Sequence, residues 1–326
     1  MAEKMKGALR HMAKQAGRII PFSWLNRLQY PVLLPFYHVV SNEKLLHVHN
    51  YPYRNVPEFI DELDFLLGHY KPVELHELLN PGITGKRIFH LSFDDGLREC
   101  YEVIAPILYK KGIPATFFVN PGFIGNKGLF HRYKASLIVS HILGHPEKQS
   151  YLKANGLTAD TLLQISYKQS ILLDEIAAKM ALSWTEFLED YRPYMTENEV
   201  KGLVRQGFTV GAHSWDHPEF WMLNADEQYH QAERSMKWVS DRFSPSVRAF
   251  AFPYTDSGIS GDVISRLRLS GVCDISFGTA GIKGDSLNFH FQRFPAEFPG
   301  EFMTNLKGEL GYFLLRKWAG LSTVRH

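Results

Sequence analysis

Lys86-Arg87-Ile88-Phe89-His90-Leu91-Ser92-Phe93-Asp94-Asp95-Gly96 is an apolar run that ends abruptly in two carboxylates and a glycine. β-Branched and aromatic residues in such a run predict a buried strand, and Gly96 permits the sharp exit that a loop needs there. Two adjacent acids then stand at the C-terminal end of a strand, where α/β barrels place their chemistry. Neighbouring side chains on an extended strand point to opposite faces. Asp94 and Asp95 therefore share a site only if the chain has begun to turn, and otherwise Asp-Asp-Gly is a plain strand cap and turn.

Around this stretch lie 326 residues, a length that suits two domains or one α/β barrel with insertions. Hydrophobic residues make up 45% and charged residues 21%, and the formal charge of +2 argues against a dedicated nucleic-acid binder. Cys100 and Cys273 are far apart in apolar surroundings, which favours buried thiols over a disulfide and suits a reducing compartment. The first 28 residues lack the apolar core of a secretory signal, and no stretch reaches transmembrane length. The expected location is therefore the cytoplasm. Met5, Ala8, Leu9, Met12, Ala16 and Ile19 recur at helical spacing opposite Lys4, Lys6, Arg10, Lys14 and Arg18. This basic amphipathic helix over 1–28 either lies on the anionic inner face of a membrane or docks on the domain with its charges in water.

Strands are predicted over Pro31–Val40, Lys86–Phe93, Ala115–Val119, Phe208–His213, Val247–Tyr254, Val272–Phe277 and Leu287–Phe294. Helices are predicted over Pro57–Tyr70, Arg98–Lys111, Glu197–Gln206, Ala225–Phe243 and Gly261–Leu269. Alternating β and α elements indicate an α/β barrel or a doubly wound sheet over 29–300. Residues 126–196 interrupt it with helical spacing and no strand, a helical insertion too patterned for disorder and too long for a plain loop. It is expected to form a cap beside the site, and its aromatic residues suit a core. The C-terminal segment 301–326 is a further helix, with Tyr312, Phe313, Leu314 and Trp318 near Arg316 and Lys317, that packs on the barrel or sits at a membrane interface.

His213-Ser214-Trp215-Asp216-His217 follows directly on a predicted strand. Histidines four apart lie on one side of a helical turn, close enough to bind one metal. Fifteen histidines produce about 0.7 such pairs by chance, so position must decide which pair matters. His141 and His145 lie inside the insertion with no strand before them and are read as structural. His213 and His217 stand at a strand end, as Asp94 and Asp95 do. Two imidazoles and one carboxylate leave a coordination position for water, and the second carboxylate can take that water's proton.

With both motifs in view, the chain resembles the polysaccharide deacetylases of carbohydrate esterase family four. Ser92-Phe93-Asp94-Asp95-Gly96 resembles the family's Thr/Ser-Phe-Asp-Asp-Gly, and His213-Ser214-Trp215-Asp216-His217 its histidine motif. The resemblance implies a distorted (β/α) barrel with fewer than eight strands and hydrolysis of N-acetyl or O-acetyl groups on sugars. It makes Asp94 the base and Asp95, His213 and His217 the metal ligands. Many members carry Phe-Arg-x-Pro-Tyr, where the Arg orients the base; Phe250-Ala251-Phe252-Pro253-Tyr254 lacks that Arg, as one subgroup does. Arg293 is the candidate replacement, against the alternative of a surface Arg on a terminal strand. The Tyr254 backbone N–H resembles the family's oxyanion donor, and Trp215, Pro253 and Tyr254 are expected to contact substrate. The late Leu-x-His of many members is absent. Members that deacetylate poly-N-acetylglucosamine look circularly permuted, with the acid histidine on an early strand, and Phe36-Tyr37-His38 occupies that place. His38 is accordingly the expected acid, against the alternative of a buried core histidine.

The expected function is metal-dependent deacetylation of an acetylated sugar or glycan precursor, with zinc the best fit and cobalt, nickel, manganese or iron compatible. An amide hydrolase of small non-sugar substrates and a non-catalytic carbohydrate-binding descendant are the alternatives. Expected partners are an acetylated carbohydrate or glycolipid and, through the terminal helices, a membrane surface; nucleic acid is not among them.

Overall fold

The structure, a computed structural model, describes residues 12, 14–80, 82–83, 87–145, 148, 152 and 154–326. Its main sheet consists of β1 (Pro35–Tyr37), β2 (Leu91–Phe93), β3 (Ala115–Val119), β4 (Thr209–Ala212), β5 (Ala249–Ala251), β6 (Ile275–Gly278), β7 (His290–Gln292) and β8 (Phe294–Pro295). Neighbours run β7-β6-β5-β4-β3-β2-β1-β8, and every pairing is parallel. β7 and β8 belong to one run of chain interrupted only at Arg293. That run pairs with β6 through its first half and with β1 through its second, so it bridges both edges and closes the ring. Eight paired segments thus come from seven runs of chain, a distorted barrel with fewer than eight full strands.

Parallel strands buried on both faces read as near-continuous apolar runs. Successive residues of β3 face opposite sides: Phe117 packs among Phe93, Val210 and the outer helices, whereas Phe118 packs with Leu34, Ala251 and Phe277 inside the ring. His90 interrupts the expected Lys86–Phe93 strand. Its Nδ1–H donates to the Val73 carbonyl at 2.8 Å, and its Nε2 accepts from the Thr116 hydroxyl at 2.9 Å.

The helices are α1 (Val56–His69), α2 (Ala105–Lys111), α3 (His131–Gly144), α4 (Ala159–Leu163), α5 (Ile171–Lys179), α6 (Trp184–Asp190), α7 (Glu197–Arg205), α8 (Ala225–Phe243), α9 (Gly261–Leu269) and α10 (Phe302–Trp318). Capping boxes start α1 at Asn55 with Glu58, α7 at Thr196 with Glu199, and α8 at Asn224 with Glu227. The predicted helix over Arg98–Lys111 begins instead as a π-helical turn, Cys100–Ile104, before α2. Helices α3 to α5, in the stretch read as an insertion, bury Ile138, Leu162, Leu173 and Ile176 among themselves.

Residues 1–11 and 13 of the expected N-terminal amphipathic helix over 1–28 lie outside the described residues. Within them, residues 14–19 are helical, and Pro21 precedes a separate short helix, Phe22–Leu25. Gly17 lies against Gly311 of α10 so closely that a Cβ on Gly17 would sit 2.9 Å from the Gly311 Cα. Lys14 pairs with Glu309, and Arg18 donates to Asn305 at 2.9 Å. Among the described residues no helix is long and apolar enough to cross a membrane.

Candidate active site

β2 ends at Phe93, and the chain turns at once, with Asp95 at φ +73° and Gly96 at +69°. A left-handed backbone costs a non-glycine residue about 1–2 kcal/mol, which here brings both carboxylates to one cavity. The turn therefore begins at Asp95, one residue before the glycine that predicts it.

His213 follows β4 directly. The expectation of a helical turn from His213 to His217 is corrected: Ser214 and His217 have φ of +66° and +59°, which a right-handed helix excludes. The Ser214 hydroxyl accepts from the His217 N–H at 3.1 Å and holds the loop in a tight reversal. The two imidazoles still meet, with ring centres 4.8 Å apart. His213 donates from Nδ1 to the Ala251 carbonyl at 2.8 Å, which leaves its Nε2 bare and aimed at the acids.

Asp95 Oδ1 lies 3.7 Å from His213 Nε2 and 3.3 Å from His217 Nε2. It is buried and has no hydrogen-bond partner among the described residues. An orphaned carboxylate oxygen facing two imidazole nitrogens fits a divalent cation, which would satisfy all three. Burial lowers the His213 pKa to about 4, so the ring is the neutral base that a metal requires. The other Asp95 oxygen accepts from the Tyr133 hydroxyl at 2.7 Å, and that hydroxyl is 2.6 Å from the Tyr51 hydroxyl.

Asp94 faces a different neighbour. Arg293, in the gap between β7 and β8, donates from Nη1 to Oδ1 at 2.7 Å and from Nη2 to Oδ2 at 2.8 Å, and Nη1 also reaches the Ser92 hydroxyl at 2.9 Å. The guanidinium is 1% exposed and lies 4.5 Å from the Phe36 ring centre. It is not a surface residue. Burial pushes the Asp94 carboxyl up, but Arg293, with help from His213 and His38, outweighs it and holds the group below the usual carboxylate range.

His38 follows β1 and stacks on Tyr51 with ring centres 4.3 Å apart. Its Nδ1 lies 2.6 Å from Glu297 Oε2, while Glu297 Oε1 accepts the backbone N–H groups of His38 and Val39 at 2.8 and 3.1 Å. Burial disfavours a charged imidazole here. Glu297 outweighs it, and the His38 pKa is raised to about 9.

Asp94, Asp95, His213, His217, His38 and Tyr51 line one cavity of ≈ 590 Å³. Phe130, Arg132, Asp160, Leu163 and Gln164 also line it, as do Phe252 and Tyr254 from the stretch after β5, and the Arg132 guanidinium lies 5.6 Å from the Tyr254 ring centre. Tyr254 adopts φ +57°, and its ring packs on His217 at 4.7 Å. Trp215 and Pro253, expected to contact substrate, are not among the lining residues. The Arg234 guanidinium covers the Trp215 ring at 3.6 Å, so its face is already occupied. Glu297, Tyr133 and Tyr51 were not singled out as functional by sequence reasoning. The only sequence signal for Glu297 is its place four residues beyond Arg293.

A family model described as polysaccharide deacetylase matches residues 82–272. No curated protein matches the chain. Among solved structures, the fold is similar to the Streptococcus pyogenes deacetylase PplD in complex with acetate, at 14% identity over 86% of this chain and 99% of that one, with a TM-score of 0.56. It is similar to IcaB from Ammonifex degensii at 17% identity over 87% of this chain and 98% of that one, TM-score 0.56. A de-N-acetylase from Aggregatibacter actinomycetemcomitans shares 15% identity over 82% of this chain and 96% of that one, TM-score 0.52. At such identities these three report the barrel itself, whereas the family match spans more than half of the sequence and includes both strand-end motifs. The protein belongs to the polysaccharide deacetylase family.

Proposed function

We propose that this deacetylase hydrolyses the acetamide of an N-acetylated sugar within a glycan or glycan precursor, with Asp94 as base and His38 as acid. The observation that carries the reading is the opposed charge states around one cavity: Asp94 held anionic by Arg293, His38 held cationic by Glu297. Asp95, His213 and His217 would hold a divalent cation, and zinc suits two imidazoles and a carboxylate. Such an ion supplies Lewis acidity at the acetyl carbonyl and a water acidic enough to be deprotonated near neutral pH. Asp94 accepts the proton of the attacking water. The Tyr254 N–H donates to the developing oxyanion, and His38 protonates the departing amine nitrogen. Arg293 positions Asp94 and keeps it ionised. Residues 126–196 serve as a cap that walls the cavity and restricts which sugars enter.

The test is acetate release from N-acetylglucosamine oligomers by the zinc-loaded full chain. Wild type should release acetate, with Asp94→Asn and His38→Ala each slower by roughly 10²–10⁴-fold. A zinc-loaded wild type that binds these oligomers and releases no acetate would instead support the carbohydrate-binding alternative.

A peripheral membrane role is supported by a separate observation. Ile19, Trp24 and Trp318 are 83%, 70% and 90% exposed, on segments that also carry Arg18, Arg27, Arg316 and Lys317. Large apolar side chains beside basic ones suit the headgroup region of an anionic bilayer, and the inner membrane face is the proposed location. Co-sedimentation with anionic but not neutral vesicles at low salt is the expected result. No sedimentation with either would remove this role.

A further inference from the structure

Two residues beyond Tyr254 lies a second group of metal-ligating side chains. Asp256, Asp285, His290 and His326 each offer a ligand atom, and these atoms all lie within 4.8 Å of one another. His290 Nε2 is 3.0 Å from Asp256 Oδ2, and His326 Nε2 is 3.0 Å from Asp285 Oδ2 and 3.8 Å from Asp256 Oδ2. The four side chains are at most 4% exposed. They come from four places in the chain: the loop after β5, the short strand Gly284–Asp285, β7, and the tail beyond Thr323–Val324, a strand that pairs in parallel with Gly284–Asp285.

The surroundings turn one oxygen of each carboxylate inward. Asp256 Oδ1 accepts from the Thr279 N–H at 3.2 Å, and Asp285 Oδ1 from the Leu287 N–H at 3.0 Å. Both Oδ2 atoms face the histidines and accept from the Gln292 amide at 2.6 and 2.9 Å. His290 Nδ1 lies 2.7 Å from the Ser276 hydroxyl, the kind of rear contact that fixes the ring of a metal-bound histidine. Gly278 makes room for the cluster, because a Cβ there would fall 2.2 Å from the Asp256 carboxyl carbon. Two carboxylates and two imidazoles so deeply buried are costly to bring together unless a positive charge joins them.

We propose that Asp256, Asp285, His290 and His326 form a second divalent-cation site, of the closed four-ligand kind that suits zinc in a structural role. It is separate from Asp95, His213 and His217 and does not rest on the assigned catalytic roles. It fastens the tail strand to the barrel. It also braces the active-site loop, since Thr279, which donates to Asp256, donates its hydroxyl to the Tyr254 carbonyl at 2.8 Å.

The test uses the full, untagged chain, stripped with chelator and reloaded with cobalt(II). Wild type should retain two equivalents after gel filtration, and His213→Ala one, with the visible absorption of tetrahedral cobalt. Asp285→Asn and His326→Ala should each retain one, and His213→Ala combined with either should retain none. His326→Ala alters only a tail side chain, so it provides the reading if Asp285→Asn does not fold. Loss of all cobalt from His213→Ala, or unchanged retention in His326→Ala and Asp285→Asn, would overturn the proposal.

Discussion

Arg293 and Asp94 meet as a two-point fork, with both carboxylate oxygens engaged at 2.7 and 2.8 Å across 199 residues of sequence. The fork sits where the last run of chain passes from one edge of the sheet to the other. Both partners are buried.

Arg293→Met should therefore leave an uncompensated carboxylate inside the barrel. Loss of one partner of a buried pair costs about 3–5 kcal/mol, visible as a lower midpoint in urea. Asp94 is now depressed: its stabilising effect is present above the ordinary carboxylate pKa of about 3.9 and is lost as pH falls through its lower folded value. Without Arg293, burial raises that value. The acid limb of the pH–rate profile should move upward.

Glu297→Gln acts on the other limb. His38 carries its proton up to about 9 because of Glu297, and its stabilising effect is complete below the unfolded value of about 6.5 and disappears as pH rises through about 9. The variant should bring the alkaline limb of kcat down toward neutrality. It should also flatten the loss of stability between those two values, measured by urea midpoints at a series of pH values. An unchanged alkaline limb would remove His38 as the acid.

Tyr133→Phe keeps the ring and deletes the hydroxyl that donates to Asp95. Loss of such a rear contact weakens metal binding by roughly 10–100-fold. Competition against a chelator of known affinity measures this, and near-native thermal unfolding of the metal-free variant would separate it from a packing defect.

Two glycines should respond in opposite directions to alanine. A Cβ on Gly211 in β4 would lie 2.5 Å from the Phe118 ring and 2.8 Å from the Ala249 carbonyl, so Gly211→Ala should destabilise by about 1–3 kcal/mol. Gly68, near the end of α1, has open space around it, and Gly68→Ala should stabilise by about 0.4–1 kcal/mol. Urea unfolding of the pair gives both signs in one experiment.

The barrel was legible because its strands are short, doubly buried and separated by helices with clear starts. Ala225–Phe243 and Gly261–Leu269 have the same bounds in sequence and structure, each opened by a capping side chain, Asn224 or Ser260. Strand ends were less legible. Pro31–Val40 reduces to Pro35–Tyr37 with single bridges at Leu33 and Val40, since pairing depends on neighbours that a local pattern does not contain. In the candidate site, Asp94, Asp95, His213 and His217 could be singled out because each stands where a strand stops. The left-handed backbone at Asp95, Ser214, His217 and Tyr254 could not, because none of the four is glycine. Glu297 was hidden for another reason: its partner His38 lies 259 residues away, and only barrel closure brings them together.

That closure has a consequence for the order of events in folding. β8 pairs with β1, so the contact that completes the ring joins distant parts of the chain, a slow class of contact. The same short run supplies the cation for Asp94 and, just beyond it, the anion for His38. A chain with the ring ajar can hold most of its helices and still lack both charges that the proposed chemistry uses. Turnover is thus a readout of topological completion, and in refolding it should return later than the far-ultraviolet signal of the helices.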